Sequence, residues 1–334
     1  MARLEMPSGE FDLIARYFAP LSAGFPGAVN LLDDVATFAP SAGYELAVTV
    51  DTMVAGVHFL AADPAKLIAQ KLLRVNLSDL AASGAKPLCY LLAISLNETT
   101  DEAWVKAFAE GLALDQAQFG VALAGGDTTG TPGPLTLSLT AIGEVPSGQT
   151  VRRSGALALD DIWVTGTIGD AALALMLIEN IGVPTLDADW PELLNRYRLP
   201  EPRTGLGPLM VGLASAMADV SDGLLADLGH ICSASGIGAE IVFADIPLSS
   251  AATDLFAKDL NMYDDYVTRV LTGGDDYELL FTAAPGAAEE IGRRAAKCGT
   301  RVTRIGHTVA SAGVRALSTD GTEIAVSSRG WQHF

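Results

Sequence analysis

The sequence predicts an α+β protein of two domains, and three observations carry that prediction. Apolar stretches of strand character alternate with helical stretches in the order strand, helix, strand, helix, strand, strand. At 334 residues the chain exceeds one ordinary core. Near residues 145–161 the composition turns polar and rich in turn formers (PSGQTVRRSG), which reads as a linker or hinge, and a second mixed α/β rhythm follows it. The boundary is placed near residue 150, giving domains 1–150 and 151–334.

Residues 10–18 read as a short amphipathic helix, and 46–50, 88–94, 121–124 and 135–142 as strands. Residues 64–83 read as a helix with Pro64 near its start and Gly84 past its end, and 101–119 as another. This order suits a mixed or antiparallel sheet. In the second half, 161–166 reads as a strand followed by a helix at 169–179. Further strands are expected at 216–220, 240–243, 278–282 and 301–305, with helices at 223–234 and 287–297. NLSDLAASGA and DVSDGLLADLG echo each other too briefly to establish duplication, but each half offers a Ser-Asp pair.

Hydrophobic residues make up 49% of the chain, enough to bury large cores. Lys+Arg 21 against Asp+Glu 40 gives a net charge of −19. That argues against a nucleic-acid partner, because phosphate backbones need a basic face. Solubility is the bland account of the charge, but many of the acids lie inside apolar segments. Cys89, Cys232 and Cys298 form no CxxC pair and have apolar or small neighbours, which points to reduced thiols and a cytoplasmic location. MARLEMPSGEF lacks a basic region followed by an apolar one, so no secretory signal is expected. No apolar run reaches the length of a membrane span, so no membrane partner is expected. His58, His230, His307 and His333 show no metal-ligand spacing.

Acidic residues recur at the ends of apolar runs: Asp33 and Asp34 in NLLDDVA, Asp51 in LAVTVDT, Asp79 in VNLSDLA, Asp127 in VALAGGDTT, Asp219 and Asp222 in AMADVSDG. Carboxylates just past strands sit where loops build sites. Brought together they would repel one another unless cations neutralised them. Hard oxygen donors suit Mg²⁺, and several Mg²⁺ ions suit a polyphosphate substrate. The residues therefore point to metal-dependent phosphoryl transfer.

Each motif has a plainer alternative. Asp33-Asp34, if in a strand, would face opposite ways, and could equally be a polar turn. Thr49, Val50 and Asp51 end a strand with a hydroxyl, a backbone carbonyl and a carboxylate, all donors for a hard cation, or simply cap it. Asp79 in an apolar helix is costly unless paired or metal-bound, and Lys71 could be its partner. Gly125 and Gly126 before Asp127 allow close approach of a phosphate, though no Walker A or GxGxxG pattern is present and a turn would look the same. Ser221 or Asp222 could cap the helix starting near Gly223, while Asp219, Asp222 and Asp227 crowd one segment. GGDDYELLF repeats the glycine-glycine-acid device, so that Asp275 and Asp276 could hold metal or hydrogen-bond an amine. Arg152 and Arg153 could grip phosphate or form hinge ion pairs. Trp331 could stack on a ligand or pack the tail.

Assembled, the chain resembles the thiamine-monophosphate kinase family, within the superfamily typified by aminoimidazole ribonucleotide synthetase. The resemblance runs through GEFDLIARYF, the DD pair, TVDTMVAGVHF, NLSDLAASGAKP, GGDTT, RRSG, DVSDGLLADLGHI, GGDDYELLF and GWQHF. The series in this order is specific, although each piece alone is weak. It implies an ATP-dependent kinase that converts thiamine monophosphate to thiamine diphosphate. It also implies a synthetase-like fold and a homodimer in which two N-terminal sheets meet in a barrel-like interface. The C-terminal α/β domain would complete the nucleotide and substrate cleft. Carried over by motif, Mg²⁺ ligands would be Asp33, Thr49, Val50 (backbone), Asp51, Asp79, Asp127, Asp219 and Asp222. ATP would meet Gly126, Arg153 and Ser221, and thiamine monophosphate would meet His58, Asp275 and Trp331. Three departures stand out: Leu32 where the family has Gly before the DD pair, Asp275 where it has Glu, and LALDD where it has Lys-Pro-Gly-Asp.

The implied chemistry is direct in-line transfer of the γ-phosphoryl group to a phosphate that is already an anion. No covalent nucleophile or general base is expected, and the acids with several Mg²⁺ ions would bring two polyanions together. One rival is a sister phosphotransferase or synthetase of the same fold. The selenophosphate type normally needs a reactive Cys near the N-terminus, and no Cys precedes Cys89. Another rival is a non-catalytic nucleotide-binding scaffold, which would be expected to have lost its metal ligands.

Overall fold

The computed structural model describes residues 9–258, 260–326 and 330–331. His333 and the last three residues of GWQHF lie outside them. The chain divides into two compact units, 1–80 with 85–148, and 81–84 with 149–334.

The first unit opens with α1 (Glu10–Leu13), which runs into a wider helical turn (Ile14–Phe18) and two tight turns (Ala19–Ser22 and Pro26–Leu31). Then come β1 (Tyr44–Val54), α2 (Ala65–Ala82), β2 (Lys86–Leu96), α3 (Glu102–Phe119), β3 (Ala122–Gly130) and β4 (Thr136–Pro146). The expected element order holds, and the sheet is mixed. Its strand order is β1-β4-β2-β3, with β2 and β3 parallel and the other pairs antiparallel.

Local chemistry accounts for the elements. The Asp101 carboxylate caps α3 by accepting the Trp104 N–H at 2.8 Å, and Gly120 at φ 69° ends it. In α2 every residue from 68 to 80 except Asp79 is buried. Its polar members are satisfied internally: Arg74 makes two bonds to the buried Asp115 of α3, at 2.7 and 3.0 Å, and Gln70 adds a third at 2.7 Å. The α2 and α3 backbones come close where Gly111 lies, since a Cβ there would stand 2.2 Å from the Lys66 carbonyl oxygen.

In the second unit the strands are β5 (Asp161–Thr165), β6 (Ala216–Asp219), β7 (Gly238–Val242), β8 (Leu279–Ala283), β9 (Val302–Val309) and β10 (Gly313–Leu317). The helices are α4 (Asp170–Ile181), α5 (Val183–Asp189), α6 (Pro191–Arg198), α7 (Gly207–Met210), α8 (Leu224–Ser235), α9 (Ser250–Lys258), α10 (Tyr263–Thr272) and α11 (Ala288–Lys297). The sheet order is β10-β7-β9-β5-β8-β6, with only β10 and β7 parallel. One core gathers Leu206, Met210, Met217, Leu279, Phe281 and Ile291, with Trp163 stacked on Phe281.

Four expectations are corrected. Asp33 and Asp34 lie in a bend, not a strand. Thr49, Val50 and Asp51 sit inside β1, which continues to Val54. Gly125, Gly126 and Asp127 are part of β3 and not of a turn. The polar stretch after residue 150 is pinned within the second unit and is no free hinge. Val151 N–H bonds Ser83 O, Met217 N–H bonds Arg152 O, and the N–H groups of Gly155 and Ala156 both meet Ser235 Oγ. The elements α5, α6, α7, α9, α10 and β10 were not expected.

Candidate active site

In the first unit, alternation along β1 turns Thr49 and Asp51 to one face. That face meets α2, where Asn76 and Asp79 stand three residues apart and so side by side. Thr49 Oγ1 donates to Asp79 Oδ2, and the Asp51 N–H bonds Asn76 Oδ1 at 3.1 Å. Asn76, fully buried, gives its own N–H to Leu72 O at 2.9 Å, which fixes its orientation. Val50 points the other way and is 59% exposed. Its carbonyl shares a peptide plane with the Asp51 N–H and so points the opposite way.

A second acidic group surrounds a cavity of about 170 Å³. Ile14, Phe18, Leu31, Leu92 and Ile94 make its apolar wall, while Asp33, Asp34, Gly126 and Asp127 form a polar edge. The Asp34 N–H bonds Asp33 Oδ1 at 2.8 Å, and all three aspartates are exposed. A Cβ on Gly126 would lie 2.0 Å from Leu92 O, so a glycine is demanded by the pairing of β2 with β3. Leu32 has φ −97°, so the bend needs no glycine where the family has one. His58 lies in the turn after β1. Its Nδ1 accepts the Val54 N–H at 3.0 Å, which places the ring proton on Nε2 of the neutral imidazole, and Lys71 Nζ approaches its carbonyl at 3.4 Å.

In the second unit, Asp219 ends β6 and is 2% exposed. The loop that follows wraps one carboxylate: Asp227 Oδ2 accepts the N–H groups of Ser221, Asp222 and Gly223 at 3.0, 3.1 and 3.2 Å. Asp227 Oδ1 is buried and has no partner among the described residues. Burial, with the neighbouring Asp222 charge, pushes the Asp227 carboxyl up to about 7, and Arg153 is close enough to pull it partly back. Gly223 at φ 128° would bring a Cβ within 2.6 Å of Thr272 O. Asp222, Asp227 and the exposed His230 each bring one ligand atom within 4.8 Å of the others. The sequence reading passed over His230, although its spacing from Asp227 on a helix was the available signal.

The 273–277 loop is laced onto this one. Asp275 N–H bonds Ser221 O at 3.0 Å and Tyr277 N–H bonds Val220 O at 2.8 Å. Asp275 and Tyr277 have φ 73° and 51°, a conformation side-chain-bearing residues rarely adopt. The Tyr277 hydroxyl donates to Asp275 Oδ1 at 3.2 Å. Asp276, by contrast, is 1% exposed and turned inward, so it joins no ligand group with Asp275. Trp331 N–H bonds Asp222 O at 3.0 Å and its ring is 57% exposed. The fold thus brings Asp219, Ser221, Asp222 and Asp275 together at the end of β6 and on two joined loops of the second unit, with the Trp331 backbone tied to Asp222 and Arg153 near enough to act on Asp227. Asp33, Gly126 and Asp127 meet at one place in the first unit, and Thr49, Asp51 and Asp79 at another.

Carboxylate and hydroxyl oxygens in these numbers, and a buried Asp227 oxygen without a hydrogen-bond partner among the described residues, are a donor set that fits Mg²⁺.

The family model for the AIR synthase related protein N-terminal domain matches residues 32–145, and that for the C-terminal domain matches 160–317. The thiamine-monophosphate kinase of Caulobacter vibrioides is 43% identical over 327 residues, which are 98% of this chain and 91% of that protein. The crystal structure of thiamine-monophosphate kinase from Stenotrophomonas maltophilia K279a superposes with a TM-score of 0.82 at 42% identity, covering 93% of this chain and 98% of that one. The structure of AaThiL complexed with AMPPCP and TMP gives a TM-score of 0.74 at 29% identity, over 100% and 99% of the two chains. With both domains matched and identity this high over nearly the full length, the chain belongs to the thiamine-monophosphate kinase family of AIR synthase related proteins.

Proposed function

We propose that this chain transfers the γ-phosphoryl group of ATP directly to the phosphate of thiamine monophosphate, giving thiamine diphosphate and ADP. The observation that carries the reading is the acid-edged apolar cavity of the first unit, in which Asp33, Gly126 and Asp127 meet beside Ile14, Phe18 and Leu31. An apolar wall suits a nucleotide base, and an acidic edge suits a polyphosphate that arrives with its cations. The AMPPCP and TMP bound by AaThiL, an ATP analogue and the phosphate acceptor, support the same pair of substrates.

The acceptor oxygen carries negative charge before the reaction, so it attacks phosphorus without losing a proton and the bond to ADP breaks in line. Mg²⁺, when bound, neutralises the charge of the two polyanions. Asp33, Thr49, Asp51, Asp79, Asp127, Asp219 and Asp222 are the residues that would hold it. Thr49 keeps Asp79 oriented, and Asn76 ties the backbone of Asp51 in place. Ser221, Arg153 and the Gly126 backbone face the nucleotide in this reading. His58, with a proton on Nε2, Asp275 and Trp331 face the thiamine moiety.

The chain acts as a homodimer in this proposal. Tyr44, Leu46, Val48 and Val50 line one face of β1 and are 39–63% exposed, an apolar stripe that a second copy of the sheet would cover. A cytoplasmic location is supported by Cys89 and Cys232, buried free thiols whose burial pushes each up to about 11. Among the described residues no helix is long and apolar enough to cross a membrane.

The deciding experiment incubates the protein with ATP, MgCl₂ and thiamine monophosphate and follows thiamine diphosphate by chromatography, with an EDTA control. Metal-dependent product is the expected result. Absence of product while calorimetry still shows ATP binding would turn the reading to a sister phosphotransferase with another acceptor.

A further inference from the structure

Behind the loop that carries Asp275 lies a charge network that the proposed reaction leaves without a role. Asp170, Asp276 and Glu278 are each 0–1% exposed. Two largely buried arginines meet them. Arg203 holds Glu278 with two bonds of 2.6 Å each, and Arg196 Nη2 reaches Glu278 Oε1 at 2.9 Å while its Nε stands 3.9 Å from Asp170. Asp170 also takes the hydroxyls of Thr167 and Ser249, both at 2.6 Å. Of the three buried carboxyls only Asp276 makes no ion pair with either guanidinium group among the described residues. Its Oδ2 accepts the Gly169 N–H at 2.8 Å, and its Oδ1 has no partner among the described residues. Burial first, with Asp170 and Glu278 beside it, pushes this carboxyl well above the usual range, while the Gly169 N–H and Arg196 pull it partly back.

This buried acid stands between the two left-handed residues, Asp275 and Tyr277. Such a conformation persists only where the surroundings over-determine it. Asp276 supplies two of the restraints: its side chain is tied to the start of α4 through Gly169, and its own carbonyl accepts Arg196 Nη2 at 3.2 Å. On the other side, a Cβ on Gly274 would lie 2.1 Å from Ser221 O, so the loop has no room to relax outward.

We propose that Asp276 is the positioning residue of the 273–277 loop, clamped between Gly169 and Arg196 so that Asp275 is held left-handed with its carboxylate aimed at the pyrimidine ring of thiamine monophosphate. The proposal rests on reading Asp275 as a substrate contact. A positioning role and a general structural role differ in what they disturb, since only the first singles out one substrate.

Kinetics of Asp276→Ala and Asp276→Asn, with each substrate varied in turn, test it. In Asp276→Ala the KM for thiamine monophosphate rises about tenfold, while kcat and the KM for ATP stay within about twofold. Asp276→Asn, close in shape to the acid and still able to accept from Gly169, stays within about twofold of the parent on every constant. Amide exchange gives a readout free of activity: protection of Asp275 and Tyr277 falls in the alanine variant and is kept in the asparagine variant. Should Asp276→Ala not fold, Arg196→Lys carries the same expectation, because an ammonium cannot reach Glu278 and the Asp276 carbonyl together. An unchanged KM for thiamine monophosphate in a folded variant overturns the idea, as does a parallel rise in both KM values or an asparagine variant as impaired as the alanine one. If the parent protein does not phosphorylate thiamine monophosphate at all, the functional reading fails, and amide exchange alone then decides whether Asp276 positions the loop.

Discussion

Asp227 accepts three backbone N–H groups on one oxygen and is still pushed up to about 7, because burial and Asp222 outweigh those bonds. The folded state therefore holds its proton more tightly than the unfolded chain, whose carboxyl titrates near 3.8. The resulting stabilisation is complete below about pH 4 and is lost as pH rises through about 7, at up to ~1.4 kcal/mol per pH unit. Asp227→Asn keeps an acceptor for the three N–H groups and does not titrate. In EDTA, urea midpoints of the parent should fall relative to Asp227→Asn between pH 4 and 8, and a constant difference would contradict the burial argument. For the aspartates assigned to cations the expectation is kinetic. Asp51→Asn and Asp127→Asn should each lower kcat by about a hundredfold or more while circular dichroism stays unchanged. Activity like the parent's in either one removes that residue from the metal set. At this scale the acids were legible, because a carboxylate within an apolar run is costly without a partner. Their neighbours were not: Asn76 behind Asp51, and Arg196 and Arg203 on Glu278, are contacts across 25, 82 and 75 residues.

At the scale of elements, Gly126 shows a residue that gained a structural role once its strand was seen. The sequence offered it as a place for phosphate to approach, whereas β3 needs it so that its backbone can lie against Leu92 O. Gly126→Ala should destabilise the fold by about 1–3 kcal/mol through this backbone clash. If phosphate approach were its only role, the alanine variant would unfold like the parent and lose only ATP affinity. The α2–α3 contact has a comparable weak point. Asp115→Ala leaves Arg74 buried without its carboxylate and should cost about 3–5 kcal/mol in denaturant unfolding. The long elements were readable from apolar periodicity, with Pro64 and Gly84 marking the ends of α2. The four-to-ten-residue helices α5, α6, α7, α9 and α10 were not, because pieces this short show too few turns to display a period, and packing decides them.

For the whole molecule, β1 leaves an apolar stripe that alternates regularly with its half-buried face. A monomer has no use for such a stripe, and a symmetric partner would cover it. Val48→Asp places a charge at its centre and should weaken self-association by about a hundredfold or more in sedimentation velocity. A parent protein that sediments as a monomer would remove the dimer from the proposal. By itself the sequence determined the α+β class, the order of elements in the first half and the family, since periodicity, capping residues and an ordered series of short motifs are local properties of the chain. Only the tertiary structure decided which acids meet. Asp33 joined Asp127 around a cavity, Thr49 met Asp79 and the Asp51 backbone met Asn76 across a strand and a helix, and Asp275 parted from Asp276. Adjacent residues face opposite ways or distant ones converge according to strand register and loop conformation, and those are settled by packing over the whole unit.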